Sequence, residues 1–232
     1  MKRTIPLILI SLIIAACTTM PAEIDDKYLA EKTDAESRNI FAMENRIIEK
    51  NKERQALEKK LNDQAKLPSE TERELKFLRD ENKILKDQVS LYERNNDTAN
   101  LKAKKIELNE NEKQISTKTA LLQYQQMENS YNDAELNLRN AELAKYIAEL
   151  NLEKSKIAAQ YRDKHEVDQP EEDEGFFSKI FNKKDPDDKY GYKEYSTYLD
   201  KTEKDKTKAE TKYKEAEKNY IDAKTAFEKL NR

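Results

Sequence analysis

Tryptophan is absent from this 232-residue chain, which has only one cysteine, one histidine, two glycines and five prolines. Each shortage closes a route. A single cysteine cannot close an internal disulfide, and with His165 it falls short of a four-ligand zinc site. The two glycines, Gly175 and Gly191, lie sixteen residues apart, so no glycine-rich phosphate loop exists. Hydrophobic residues make up 36% of the chain, against about 45–50% in an ordinary globular domain. That leaves little material for a deep pocket in which carboxylates could be tuned for acid–base work, so no catalytic activity, cofactor or small-molecule substrate is expected. The 44 basic and 47 acidic residues nearly balance, and no basic excess marks a nucleic-acid binder. Two classes remain, a solvated helical protein or a disordered one.

What is present begins at the amino terminus. Lys2 and Arg3 precede an apolar run from Ile5 to Ile14, interrupted only by Pro6 and Ser11. The run is shorter than the roughly 20 residues that span a bilayer and small residues follow it, so residues 1–16 read as a secretory signal. Ile14-Ala15-Ala16-Cys17 resembles the lipobox of bacterial lipoproteins, an aliphatic residue and two small ones before an obligatory cysteine. The resemblance implies cleavage between Ala16 and Cys17, a diacylglycerol on the Cys17 sulfur and a palmitate-type acyl chain on its new amino group. Thr18 after the cysteine, where an Asp would signal retention, implies the outer membrane of a diderm cell. More than one chain is needed for stable anchoring, and this modification supplies them. Periplasmic face and cell surface both stay open.

Without residues 1–16 the chain has 42 basic against 47 acidic residues, too small an imbalance to force disorder. Periodicity then decides. Residues 17–34 carry no sustained pattern and read as a lipidated tether. A helix is expected over 35–67, with Ile40, Met43, Ile47, Leu57 and Leu61 on one seam and Lys50 and Arg54 intruding. Pro68 ends it, and the Ser69/Glu72 spacing reads as a capping box opening a helix over 69–94. Its seam is Leu75, Leu78, Asn82, Leu85, Val89 and Tyr92. Asn95-Asn96-Asp97 offers a break, with Asp97 or Thr98 as the cap of a long helix over 98–165. That helix carries one stripe through Ala120, Tyr124, Met127, Tyr131, Ala134, Leu138, Ala141, Lys145, Ala148 and Leu152. A second runs through Leu136, Leu143, Leu150 and Ile157. Residues 166–192 form a loop with an aromatic cluster. The stretch 193–231 then has the most regular heptads: Leu199, Lys206, Tyr213, Tyr220 and Phe227 in one column, Thr202, Ala209, Ala216, Ala223 and Leu230 in the other.

The expected fold is all-α, an elongated coiled coil built as an antiparallel helical hairpin with additional N-terminal helices. Tyr131–Ala141 aligns with Tyr213–Ala223, both alternating large residues and alanines, so alanine columns let the helices approach while tyrosines cover the gap from the facing helix. Acid-to-base pairs four apart, Glu72/Lys76, Glu135/Arg139, Asp200/Lys204 and Glu210/Lys214, add a few tenths of a kcal/mol each. Asn82 on a seam admits two readings, a register-fixing residue of a parallel dimer or a tolerated polar residue.

Few residues suggest chemistry. Glu171–Glu174 and Asp185, Asp187 and Asp188 lack the glycine turn and terminal glutamate of an EF-hand, so no metal is expected. His165 closes a helix, where a cation suits the dipole. Phe176, Phe177, Ile180 and Phe181 would share one face of a short helix, either as a satellite core that folds the loop back or as a sticky surface contacting a partner or membrane. Tyr190, Tyr192, Tyr195 and Tyr198 follow them. A helix of about 45 residues reaches roughly 65–70 Å, which suits spacing and binding. The expected role is therefore a non-catalytic envelope lipoprotein acting as a structural or interaction module, with adhesion as one form. The alternative is a periplasmic spacer or accessory subunit of an envelope complex. Partners are the membrane, through the anchor, and a protein or second copy, through the coiled coil. The design is similar to that of small helical-hairpin adhesins of anaerobic Gram-negative bacteria, without a motif matched residue by residue. The chain closes on Leu230-Asn231-Arg232 rather than the terminal lysine of murein-linked lipoproteins, so covalent wall attachment is not expected.

Overall fold

Neither proline nor glycine occurs between Pro68 and Pro170, and the longest helix of the protein falls inside that interval. The computed structural model describes Pro21, residues 24–165 and residues 192–230. Every regular element among them is helical: a 3-10 turn at Asp26–Leu29, then α1 (Asp34–Gln64), α2 (Leu67–Arg94), α3 (Thr98–Lys164) and α4 (Tyr192–Leu230). The fold is all-α, and α3 and α4 pair antiparallel, with α1 and α2 as the additional N-terminal helices. Contacts separate two units, one drawn from Met1–Glu49 with Ala141–Lys206, the other from Lys50–Asn140 with Thr207–Arg232.

Local chemistry sets the helix ends. Thr33 and Glu36 form a reciprocal capping box at the start of α1. The Glu36 carboxylate accepts from the Thr33 N–H at 2.7 Å, and the Glu36 N–H donates to Thr33 Oγ1 at 3.2 Å. The box expected at Ser69/Glu72 does not form. Pro68 has a φ already suited to a first helical turn and no N–H to leave unpaired, so α2 starts upstream at Leu67. Ser69 then lies inside that turn, its hydroxyl donating to the Lys66 carbonyl at 2.8 Å. The missing Pro68 N–H also fixes where α1 ends, because the Gln64 carbonyl has no donor four residues on. Between α2 and α3, Asn96 takes a left-handed φ of 55°. The Asn96 and Asp97 N–H groups donate to the Glu93 and Tyr92 carbonyls at 3.3 and 3.0 Å. This is a Schellman motif. Asp97 caps α3 by accepting from the Asn100 N–H at 3.2 Å.

In the first unit, α1 lies antiparallel to α3: Asn39 meets Glu153 and Arg46 meets Tyr146. Their apolar core is Leu29, Ile40, Leu150 and Ile157, with Ile24, Met43 and Ile47 packed against it. The stretch read as a tether thus has structure from Ile24 onward. Tyr28 and Leu29 of the 3-10 turn are buried, although no periodic pattern announces them, because one turn supplies only one or two core contacts. On another face of α3, Lys145 bonds Glu203 of α4 at 3.0 Å, which accounts for a lysine within an otherwise apolar stripe.

In the second unit, α2 runs antiparallel to α3, with Thr71 opposite Gln125 and Asn82 opposite Asn111. All six seam residues of α2 from Leu75 to Tyr92 are at least half-buried, as are Lys50 and Arg54 on the second half of α1. The intruding charges of α1 stay in the seam by pairing locally, Lys50 with Glu53 and Arg54 with Glu58.

The left-handed residue at the α2–α3 turn gives a direct test. Asn96→Val places a β-branched side chain at positive φ and is expected to cost about 1–2 kcal/mol, whereas Asn96→Gly retains wild-type stability. Urea unfolding followed by circular dichroism distinguishes the two.

Candidate functional site

The α3–α4 contact of the second unit is an aromatic zipper. Tyr213, Tyr131, Tyr220, Tyr124 and Phe227 stack in sequence, α4 alternating with α3, at centroid distances of 5.2–5.7 Å. The tyrosines therefore stack on one another, where the sequence pattern suggested that they lie over facing alanines. Antiparallel pairing brings the large columns of both helices level, and offset ring contacts add about 0.5–1.5 kcal/mol each beyond buried area. The Tyr131 and Tyr213 hydroxyls bond at 2.8 Å. That bond, followed by burial, raises the ionisation of Tyr131 well above the usual phenol value; burial, followed by Tyr220, does the same for Tyr124.

The opposite face of α3 in this unit is joined to α1 and α2 by polar side chains. Asn132 is 1% exposed, donates to Gln64 at 2.9 Å and accepts from Lys60 at 3.4 Å. Thr71 donates to Gln125 at 2.8 Å. Asn82 donates to Asn111 at 2.8 Å, and Asn111 donates in turn to the Leu78 carbonyl and Glu81. Asn82 thus finds its partner within its own chain, and a parallel dimer is not needed to satisfy it.

A third cluster joins the 3-10 turn to the end of α3 in the first unit. The Tyr28 ring meets Tyr161 edge-on at 6.0 Å, with the Arg162 guanidinium 4.3 Å from its centroid. Glu31 is held by Lys164 and by His165 Nε2, the latter at 2.8 Å. The Lys164 hydrogen bond, then that of His165, lowers the Glu31 carboxyl below its ordinary value. His165 is therefore part of a clamp on the N-terminal segment as well as a helix-end residue.

Elsewhere in the first unit is an open groove of about 720 Å³, lined by Pro21, Ile47, Ile48, Ile147 and Leu150, with Glu44, Asn151 and Lys154 along it. On the outer face of α2, Phe77, Ile84 and Leu91 recur every seven residues and are 70%, 58% and 52% exposed. Tyr192 of α4 is 41% exposed, while Tyr195 and Tyr198 are more deeply buried and desolvation raises the ionisation of Tyr195.

The nominated residues Ala16, Cys17, Phe176, Phe177, Ile180 and Phe181 lie outside the described residues, as do Glu171–Glu174 and Asp185–Asp188. Among the described residues no three His, Cys, Asp or Glu side chains converge as metal ligands, and no helix is long and apolar enough to cross a membrane. The Glu31 clamp and the groove were not anticipated, since each brings together residues from two stretches of chain far apart in the sequence. Asn111 did carry a signal: Leu101, Lys104, Leu108, Asn111, Ile115 and Lys118 alternate by three and four. No protein-family model matches the chain, and neither a curated protein nor a solved structure matches it.

Two outcomes follow from the titrating groups. Because the folded-state value of Glu31 lies below the ordinary 4.5, its stabilisation is complete above that pH and is lost as pH falls through the lowered value. The melting temperatures of wild type and Glu31→Gln should therefore differ most near neutrality and converge in acid. For the zipper, Tyr131→Phe keeps the ring stack but removes the hydroxyl pair, at a cost of about 1 kcal/mol. In an alkaline ultraviolet titration, wild type should show late-ionising phenols, fewer of them in the variant, that titrate only as the zipper opens. The protonated phenol is the form the fold favours, so this stabilisation is present below the ordinary value of 10.0 and is lost as pH rises through the raised one.

Proposed function

We propose that the chain is a non-catalytic lipoprotein of the bacterial cell envelope, anchored through acyl chains on Cys17, whose helices act as a structural or interaction module. The observation that carries this reading is the position of the only cysteine, at the end of Ile14-Ala15-Ala16-Cys17 after a short apolar signal. The disposition of the side chains is consistent with it. Polar and aromatic groups alike are engaged in helix–helix seams, and charged residues pair at helical spacing both in a seam, as Lys50 does with Glu53, and on an outer face, as Lys83 does with Asp80. Surface adhesion is one form of the role. A periplasmic spacer or accessory subunit is the second reading, favoured by the Phe77–Ile84–Leu91 strip, which offers an apolar line of contact to a partner helix.

Metabolic labelling with a fatty-acid analogue tests the anchor. Wild type is expected to incorporate label and to lose residues 1–16, and Cys17→Ser to do neither; an unlabelled wild type would exclude the reading. Protease treatment of intact cells then separates the two roles. Digestion before the outer membrane is opened supports surface display, and survival until then supports the periplasmic spacer.

A further inference from the structure

The segment that follows Cys17 leads to an apolar groove. Pro21 is buried and forms part of the wall, with Ile47 and Ile48 from α1 and Ile147 and Leu150 from α3 completing the hydrocarbon lining. Ile47 and Leu150 also belong to the core around Leu29 and Ile40, so the groove is the uncovered flank of that core. Ile48, by contrast, is 52% exposed. The polar groups are Asn151 and the Glu44–Lys154 pair, and these two charges are spent on each other at 3.0 Å. An aliphatic site without an uncommitted charge selects for hydrocarbon, not for a polar head group. Its volume of about 720 Å³ is within the range of sites that enclose a small ligand, roughly 300–1,000 Å³.

The occupant follows from the chain itself. Pro21 is four residues after Cys17, and four residues span at most about 14 Å. The groove is therefore within reach of whatever the Cys17 sulfur and amino group carry. We propose that it seats one of the acyl chains of Cys17 when the protein is away from a bilayer, as it must be while crossing an aqueous compartment. Each methylene taken out of water favours the seated chain, and the bilayer, which shelters all the chains at once, recovers it on arrival. This inference rests on the anchor reading.

The test uses the full lipidated protein from cells fed a fatty acid carrying a terminal diazirine. The purified protein is irradiated above and below the critical micelle concentration of its detergent, and the crosslinked peptides are identified by mass spectrometry. Below that concentration, label attached to Cys17 is expected to crosslink within its own chain to the peptides holding Ile47–Ile48 and Ile147–Leu150. In Ile48→Lys, an exposed position where the helical circular dichroism should be unchanged, those crosslinks are lost. Label on Cys17 that reaches only detergent or another copy overturns the groove proposal and leaves the anchor reading standing. So does a diazirine-bearing phospholipid that crosslinks to the groove of the acylated protein, because the site then takes a bilayer lipid. Absence of label from Cys17 overturns both.

Discussion

Helix α3 has to be covered on two sides at once, and the rest of the structure answers that requirement. Its 67 residues contain no breaker, and a helix of such a sequence cannot hold itself by propensity, since most helical stability in water comes from packed faces. Along 98–118 a single seam meets α2. From about Ala120 onward a second face carries Tyr124, Tyr131 and Lys145 to α4, while the first face continues against α1. Because apolar residues then occur on opposite sides, α3 does not show the one-sided stripe of a surface helix.

The two faces are built from different chemistry. Toward α4, rings stack and phenols pair, so the contact gains from area and from geometry. Toward α1 and α2, asparagine, glutamine, threonine and ion pairs are interleaved with leucines such as Leu75 and Leu85. Buried amides of this kind add little net stability, yet a slip of register would strand each one without a partner at a cost of about 1–3 kcal/mol. Asn82 with Asn111, and Asn132 with Gln64, therefore fix which residue of one helix lies beside which residue of the next.

The parts of this organisation that repeat could be read from the sequence. The α2 seam, both stripes of α3 and both columns of α4 face inward, because a three–four alternation has only one geometric meaning on a helix. Leu230 alone in those columns is exposed, because it is the last residue of α4. Single events were harder. Ser69/Glu72 has the capping-box spacing but loses the helix start to Pro68, while Thr33/Glu36 has the same spacing and forms the box. Tyr28 and Glu31 belong to no period, and their partners Tyr161, Lys164 and His165 are brought to them only by the antiparallel return of the chain. The proposed anchor at Cys17 rests on local spelling, whereas the groove beside Pro21 needed three dimensions.

The paired register of α2 and α3 also limits how the length of this hairpin can change. Thr71 faces Gln125 and Asn82 faces Asn111 across a turn of three residues. One residue inserted in either arm would rotate everything beyond it by about 100° and carry the amides out of the seam. Length can therefore be added or removed only in matched blocks of seven, one in each arm, which slide the turn along the axis without rotating either helix. A lineage of such proteins would vary in steps of fourteen residues, with the Asn95–Asp97 turn kept at the end of whatever hairpin results.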